Sequence, residues 1–230
     1  MIRKFLHKVF NKSESVDSNL PSAAKTIPAN KHKIDQTLIS SAALKTCEGL
    51  HKAGFDVYIV GGAVRDLLLD SKPKDFDIAT NAKPEEVHKL FRNSRLIGRR
   101  FRLVHVVFGR DVIEVATFRG SHENASGKQQ SKTSDSGMLL RDNVYGTIDE
   151  DAARRDFTIN ALYYNIEDFS VRSYAGGIQD IKKSTIRMIG DPETRYREDP
   201  VRMLRAVRFA GKLSFDIHKT TNQPIRDLAP

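Results

Sequence analysis

Hydrophobic and polar positions follow two rhythms along this chain. Leu38, Ala42, Ala43, Leu44 and Leu50 recur at helical spacing and predict an amphipathic helix over residues 38–53, which Gly54 ends. The apolar run 57–60 reads as a buried strand, Gly61-Gly62 as a turn and 63–69 as a helix. Pro73 breaks the chain before a second strand at 76–80, and Pro84 suits the first position of a helix running to Phe91. Residues 103–108 and 112–118 predict two strands joined as a hairpin through Gly109-Arg110-Asp111. Residues 157–164 fit a helix or a strand equally well. Residues 171–174 predict a short strand before the Gly176-Gly177 turn, and 200–212 a helix that Asp199 is placed to cap.

Two stretches break these rhythms. Residues 11–33, rich in Ser, Asn, Pro and Lys, read as a linker or disordered arm. Residues 120–137, rich in Ser, Gly, Lys and Gln, read as a mobile surface loop, because patterned sequence resumes after them. No internal repeat is present. The sum predicts an α/β fold, a small mixed sheet with helices on one side, followed by helical chain.

Composition narrows the function classes. The 230 residues, 39% of them apolar, suffice for a core without cross-links, and the single Cys47 excludes an internal disulfide and points to a reducing, cytoplasmic setting. No apolar run approaches the roughly 20 residues of a membrane span, so stable membrane insertion is not expected. Residues 1–12 mix Arg3, Lys4, Lys8 and Lys12 with Phe5, Leu6, Val9 and Phe10, which fits a solvated tail or a short basic helix at a surface. The 38 Lys and Arg against 29 Asp and Glu leave +9, a balance that suits a polyanionic partner.

Four constellations could carry chemistry. Gly61-Gly62-Ala63-Val64-Arg65-Asp66 joins a strand to a helix, where glycines admit close backbone approach and free N–H groups meet phosphate, although a plain tight turn reads the same. Asp75-Phe76-Asp77 puts two carboxylates on one face of a strand, a pattern that suits two magnesium ions but equally a solvated strand edge. Glu114, among the apolar residues of 112–118, is either a third carboxylate at that metal site or the polar face of its strand. Arg154-Arg155-Asp156, with Asn160, could clamp triphosphate or pair internally. In the fourth, Glu198, Asp199, Arg202 and Arg205 share a polar arc from which Val201, Leu204 and Val207 lie off, so Asp199 and Arg202 could read a base edge or merely start a helix. His51, His88 and His105 are isolated in sequence and suggest no metal cluster.

In this order and spacing, the four stretches resemble the class II nucleotidyltransferases, the polymerase-beta-like group that holds bacterial CCA-adding enzymes and poly(A) polymerases. The stretch 96–106, together with Arg141-Asp142-Asn143 and residues 192–199, is most similar to the poly(A) polymerase branch. The resemblance implies a basic arm over 1–37, a nucleotidyltransferase head over 38–190 and the start of a helical neck over 191–230, truncated at Pro230. It implies two magnesium ions on Asp75 and Asp77; Glu114 is nominated as a further catalytic carboxylate from its place among apolar strand residues, not from the resemblance. Nucleotide binding would fall to Gly61, Gly62, Arg65, Asp66, Arg154, Arg155, Asp156, Asn160, Asp199, Arg202 and Arg205. The implied reaction adds AMP from ATP to an RNA 3′ end, with pyrophosphate leaving. CCA addition to tRNA, or an RNA-binding remnant without activity, are the rivals.

Overall fold

A computed structural model describes residues 24–98, 102–120, 131–133, 139–142 and 144–228. The basic stretch at 1–12, Arg99-Arg100-Phe101 and residues 121–130 and 134–137 of the expected surface loop lie outside these residues.

The first strand, β1 (Lys25–Ile27), falls within the stretch read from sequence as linker. Three residues are too few to reveal a period, and β1 is held by its pairing with a distant strand rather than by its own pattern. Ser40 accepts a hydrogen bond from the Ala43 N–H and starts α1 (Ser41–Lys52), so that helix begins later than 38; residues 36–38 form a separate 3-10 turn. Then follow β2 (Val57–Val60), α2 (Gly62–Leu68), β3 (Asp77–Thr80) and α3 (Pro84–Leu90), close to the sequence expectation. The strand β4 (Ser94–Ile97) was not expected; β5 (Leu103–Phe108) and β6 (Asp111–Thr117) form the predicted hairpin. Within and just beyond the expected loop, β7 (Ser131–Thr133) and β8 (Leu139–Asp142) pair as a separate ribbon.

A capping box of Thr147 and Glu150 opens α4 (Ile148–Arg154). The ambiguous stretch 157–164 is both forms in turn, a 3-10 turn at 158–160 and then β9 (Leu162–Tyr164). The remaining elements are β10 (Val171–Ser173), α5 (Gly177–Lys182), β11 (Thr185–Ile186), α6 (Pro192–Glu198), α7 (Val201–Leu213), β12 (Asp216–Ile217) and α8 (Lys219–Leu228).

The main sheet has eight strands in the order β1-β10-β9-β2-β3-β6-β5-β4. Every neighbouring pair is antiparallel except β3 with β6. It is mixed, as expected, but larger than expected, because β1 and β4 extend its edges. Alternation along the strands divides the core between two faces. On one face Ile59, Ile78, Val104 and Val115 pack with Ala43, Cys47 and Leu50 of α1 and Val64 and Leu67 of α2. On the other, Tyr58, Val60, Ala79 and Tyr163 pack with Phe118, Tyr174 and Ala152 of α4. Helices therefore cover both faces, not one. This explains why β2 is buried at every position and lacks a polar side. Among the described residues no helix is long and apolar enough to cross a membrane.

Candidate active site

Parallel pairing of β3 and β6 sets Asp77 opposite Glu114, on the sheet face that α4 covers only in part. Neighbouring strands lie about 4.8 Å apart, so the two carboxylates are close neighbours. Phe76 is buried and anchors the segment; Asp75 and Asp77 keep solvent-accessible surface on either side of it, although the Asp77 carboxyl is hemmed in by its surroundings. Asp75 precedes the first paired residue of β3, so it sits at the mouth of the strand rather than on it. His105, on β5 opposite Glu114, brings Nε2 to 3.6 Å from the Glu114 carboxylate. Desolvation pushes the Asp77 carboxyl up to about 6, and the Glu114 charge and, more weakly, Asp75 add to the shift against a counter-pull from Arg155.

Among the described residues no three His, Cys, Asp or Glu side chains are already gathered to hold a metal ion. The donor set nevertheless fits magnesium, which is commonly held by one or two carboxylates and completed by water and substrate phosphate. Hard oxygens that repel one another at Asp77 and Glu114 are a setting that a divalent cation relieves.

Val60 pairs with Asp77, so the turn that follows Val60 opens beside the carboxylates. Gly61 sits there at φ +70, a conformation that side chains disfavour, and an added Cβ would lie 3.3 Å from the Arg155 guanidinium. Arg65 does not reach outward from this turn. It is 2% exposed, and its guanidinium donates to Asp66 Oδ1 at 2.6 and 2.9 Å and to Asn160 Oδ1 at 2.7 Å. Asn160 in turn donates to Asp156 Oδ1 at 3.1 Å, and Arg205 of α7 donates to Asp156 Oδ2 at 2.7 Å. The polar side chains Asp66, Arg65, Asn160, Asp156 and Arg205 thus form one chain of hydrogen bonds from α2 to α7. The Phe209 ring lies between its two arginines, 5.3 Å from Arg65 and 5.2 Å from Arg205.

Arg155 closes a second network. It donates to Tyr163 Oη at 2.8 Å and to Asp151 Oδ2 at 3.1 Å, and Tyr163 donates to the same carboxylate oxygen at 2.6 Å. Burial works against its charge, yet the Tyr163 oxygen and Asp151 together hold its proton more firmly than usual. Arg154 takes the opposite course. Desolvation, then the nearby Arg119, Arg195 and Arg202, pull it down to about 10. Its Nη1 donates to the Gly120 carbonyl at 2.8 Å. Cations crowded together out of water form a place where an anion gains on entry.

The fourth constellation is only partly as sequence suggested. Asp199 accepts from the Val201 N–H at 3.3 Å, a capping bond at the start of α7. Arg202 is turned inward, donating to Glu198 Oε2 at 2.9 Å and to the Arg195 carbonyl at 2.7 Å. The polar arc of α7 faces the sheet-bearing unit, and Val201, Leu204 and Val207 are 55%, 72% and 56% exposed. Sequence reading missed Asp151, Tyr163, Arg119, Arg195 and Phe209. Asp151 lies four residues before Arg155 on α4, a spacing that could have paired them. Arg119 and Tyr163 come from separate elements and carry no local signal.

The sequence profile of the Poly A polymerase head domain matches residues 57–187. Poly(A) polymerase I of Escherichia coli O6:H1 is 57% identical over 231 residues, covering 99% of this chain and 50% of its own. The CCA-adding enzyme of Lactobacillus helveticus is 43% identical over 185 residues, covering 80% of this chain and 44% of its own. The crystal structure of the Bacillus stearothermophilus CCA-adding enzyme in complex with CTP aligns with a TM-score of 0.66 at 37% identity, over 80% of this chain and 42% of that one. The chain spans about half the length of the curated relatives it matches. Both the matched profile and the fold carry the same conclusion: the chain belongs to the poly(A) polymerase head domain family of nucleotidyltransferases.

Proposed function

We propose that this chain is the catalytic head of a template-independent nucleotidyltransferase that adds AMP from ATP to RNA 3′ ends and releases pyrophosphate. The observation that carries the reading is Asp77 paired across the sheet with Glu114, Asp75 beside it, at the mouth of the Gly61-Gly62 turn. Nucleotidyltransferases of this superfamily use divalent metals. Here Asp75 and Asp77 would hold two magnesium ions, with Glu114 as a third carboxylate. When bound, magnesium supplies charge neutralisation at the triphosphate and a more acidic attacking hydroxyl.

The protein's own part is positioning and charge. The backbone at Gly61 and Gly62 lets phosphate approach the start of α2. Arg154, with the Arg119 charge beside it, receives the triphosphate, while Arg195 and Arg202 are held by Glu198. Arg65, Asp66, Asn160, Asp156 and Arg205 brace α7 against the head and keep these groups in register. Arg155 fixes the wall beside Asp77 through Asp151 and Tyr163. No covalent intermediate on the protein is required. The head would end near 190 and a helical neck begin at 191; of the arm expected over 1–37, residues 25–27 join the head as β1, and a reducing, cytoplasmic setting suits the buried Cys47.

Magnesium titration tests the metal site without activity. Rising magnesium should raise the melting temperature, since a ligand bound only by the folded chain stabilises it. Asp77→Asn should remove that rise. An equal rise in the variant would place the ions elsewhere.

CCA addition is the second reading, favoured by the 43% identity to a CCA-adding enzyme. Base choice separates the two, and Asp199 with Arg202 is the pair we assign to it. Losing one good base contact costs about 1–3 kcal/mol of discrimination, so Arg202→Ala should lower the ATP-to-CTP preference about ten- to a hundredfold. Incorporation efficiency with each nucleotide measures this. An unchanged ratio with uniformly slower incorporation would leave Arg202 a brace for Glu198 and Arg195 alone.

A further inference from the structure

A groove of about 620 Å³ lies at the β1 edge of the sheet, where the chain leading out of α2 and helix α5 face the segment 25–33. Ile27, Leu68 and Ile178 form its floor and pack on the main core. Lys25, Lys31, Lys33 and Lys182 stand around it, and Asp70 is its one carboxylate. All four lysines are exposed, and none has an ion-pair partner among the described residues. His32, also in the lining, is already occupied: Nδ1 accepts from the Ile34 N–H at 3.3 Å, so Nε2 is left to donate to the Phe169 carbonyl at 2.8 Å. The lysines carry the charge of the groove.

The groove is separate from the carboxylates. Four strand spacings, about 19 Å, separate β1 from β3. α2, which begins at the glycine turn, is about 10 Å long and leads toward the groove, with Leu68 at its end.

We propose that this groove is a second RNA contact, taking the phosphate backbone of the single strand upstream of its reacting 3′ end. Four lysines with no ion-pair partner among the described residues, against the single Asp70, leave a local positive field that phosphates neutralise with release of counterions. The apolar floor accepts the flat side of a base or sugar without selecting one. No Arg, Asn or Gln cluster capable of bidentate base readout lines it, and Gln179 is the single amide present. The contact is therefore tolerant of sequence, as an enzyme that extends many RNAs needs. It rests on RNA being the substrate, and it adds a place and a chemistry for the strand.

The test uses the full chain and a labelled single-stranded RNA, with affinity measured across a salt series. Lys25→Ala, Lys31→Ala, Lys33→Ala and Lys182→Ala combined should weaken binding about tenfold or more and flatten the salt dependence, by about 0.7 in the log–log slope for each lost contact. The melting temperature should stay unchanged, because these side chains are exposed. A Lys31→Ala, Lys182→Ala double variant should show an intermediate loss. Incorporation onto a dinucleotide primer, too short to reach the groove, should be untouched, while the KM for a long RNA rises. Wild-type affinity and salt slope in the quadruple variant would overturn the proposal, as would a mononucleotide that competes as well as the strand. Failure of the catalytic reading would appear differently, as no incorporation on either primer by the wild-type chain.

Discussion

Asp77→Asn should reduce nucleotide incorporation by a thousandfold or more while the fold stays intact. Asparagine keeps the size of the side chain and its place opposite Glu114, but loses the charge that would hold the ions. Metal assistance is worth several kcal/mol to such a transfer, and about 4 kcal/mol corresponds to a thousandfold. The metal-free variant should be no less stable than the parent. The Asp77 carboxyl is raised to about 6, so above the ordinary carboxylate value its charge opposes folding, and removing the charge removes that cost. Circular dichroism and a melting curve establish the fold, and single-turnover incorporation gives the rate. A folded Asp77→Asn chain working near the parental rate would remove the basis of the metal assignment. Asp75→Asn should behave like it. Glu114→Gln grades the third carboxylate: a loss near that of Asp77→Asn makes it a metal group, and a tenfold loss or less makes it a partner of His105.

Arg155→Ala should have the largest effect on stability, about 3 kcal/mol. The substitution removes the ion pair of Asp151, 8% exposed, with Arg155 and leaves it only the Arg119 charge nearby. Breaking a buried ion pair from one side costs about 3–5 kcal/mol. The low end applies here, because Asp151 still accepts from Tyr163 Oη and from the Arg119 N–H. At about 2–4 °C per kcal/mol for a chain of this size, the melting temperature should fall by about 6–12 °C. Arg155→Lys should rescue little, since one ammonium cannot serve Tyr163, Asp151 and the Asn160 carbonyl together. A fall under about 2 °C would mean the network does not hold the wall beside Asp77.

What sequence could and could not reveal divides along physical lines. The strands β2, β3, β5 and β6 and helices α1 to α3 were legible because each carries its own period, apolar run or capping residue. β1 and β4 were not, since each is short and owes its form to a partner: Lys25–Ile27 to Val171–Ser173, and Ser94–Ile97 to Leu103–Val106. α6 was hidden because Pro192 and the charged run after it resemble a loop until Tyr196 is seen buried. At the site, Asp75, Asp77 and Glu114 could be nominated from spacing and from a carboxylate among valines, but not their register. That Asp77 faces Glu114 follows from a parallel pairing between segments more than thirty residues apart. Arg65 and Arg205 were nominated as nucleotide ligands from their motifs; the Arg65 guanidinium is buried against Asn160, whereas Arg205 remains exposed while donating to Asp156. Motif spacing identifies residues that matter together without saying which of them face the ligand.

The most direct test of the central claim is incubation of the chain, with magnesium and a short single-stranded RNA, with each of the four nucleoside triphosphates in turn, read as product length on a gel. The account predicts a ladder of added residues with ATP that is absent when magnesium is chelated, and little extension with the other three. Extension with CTP that stops after a fixed short addition would contradict the adenylyl reading in favour of CCA addition, and no extension with any nucleotide by the folded, magnesium-binding chain would contradict catalysis by this polypeptide.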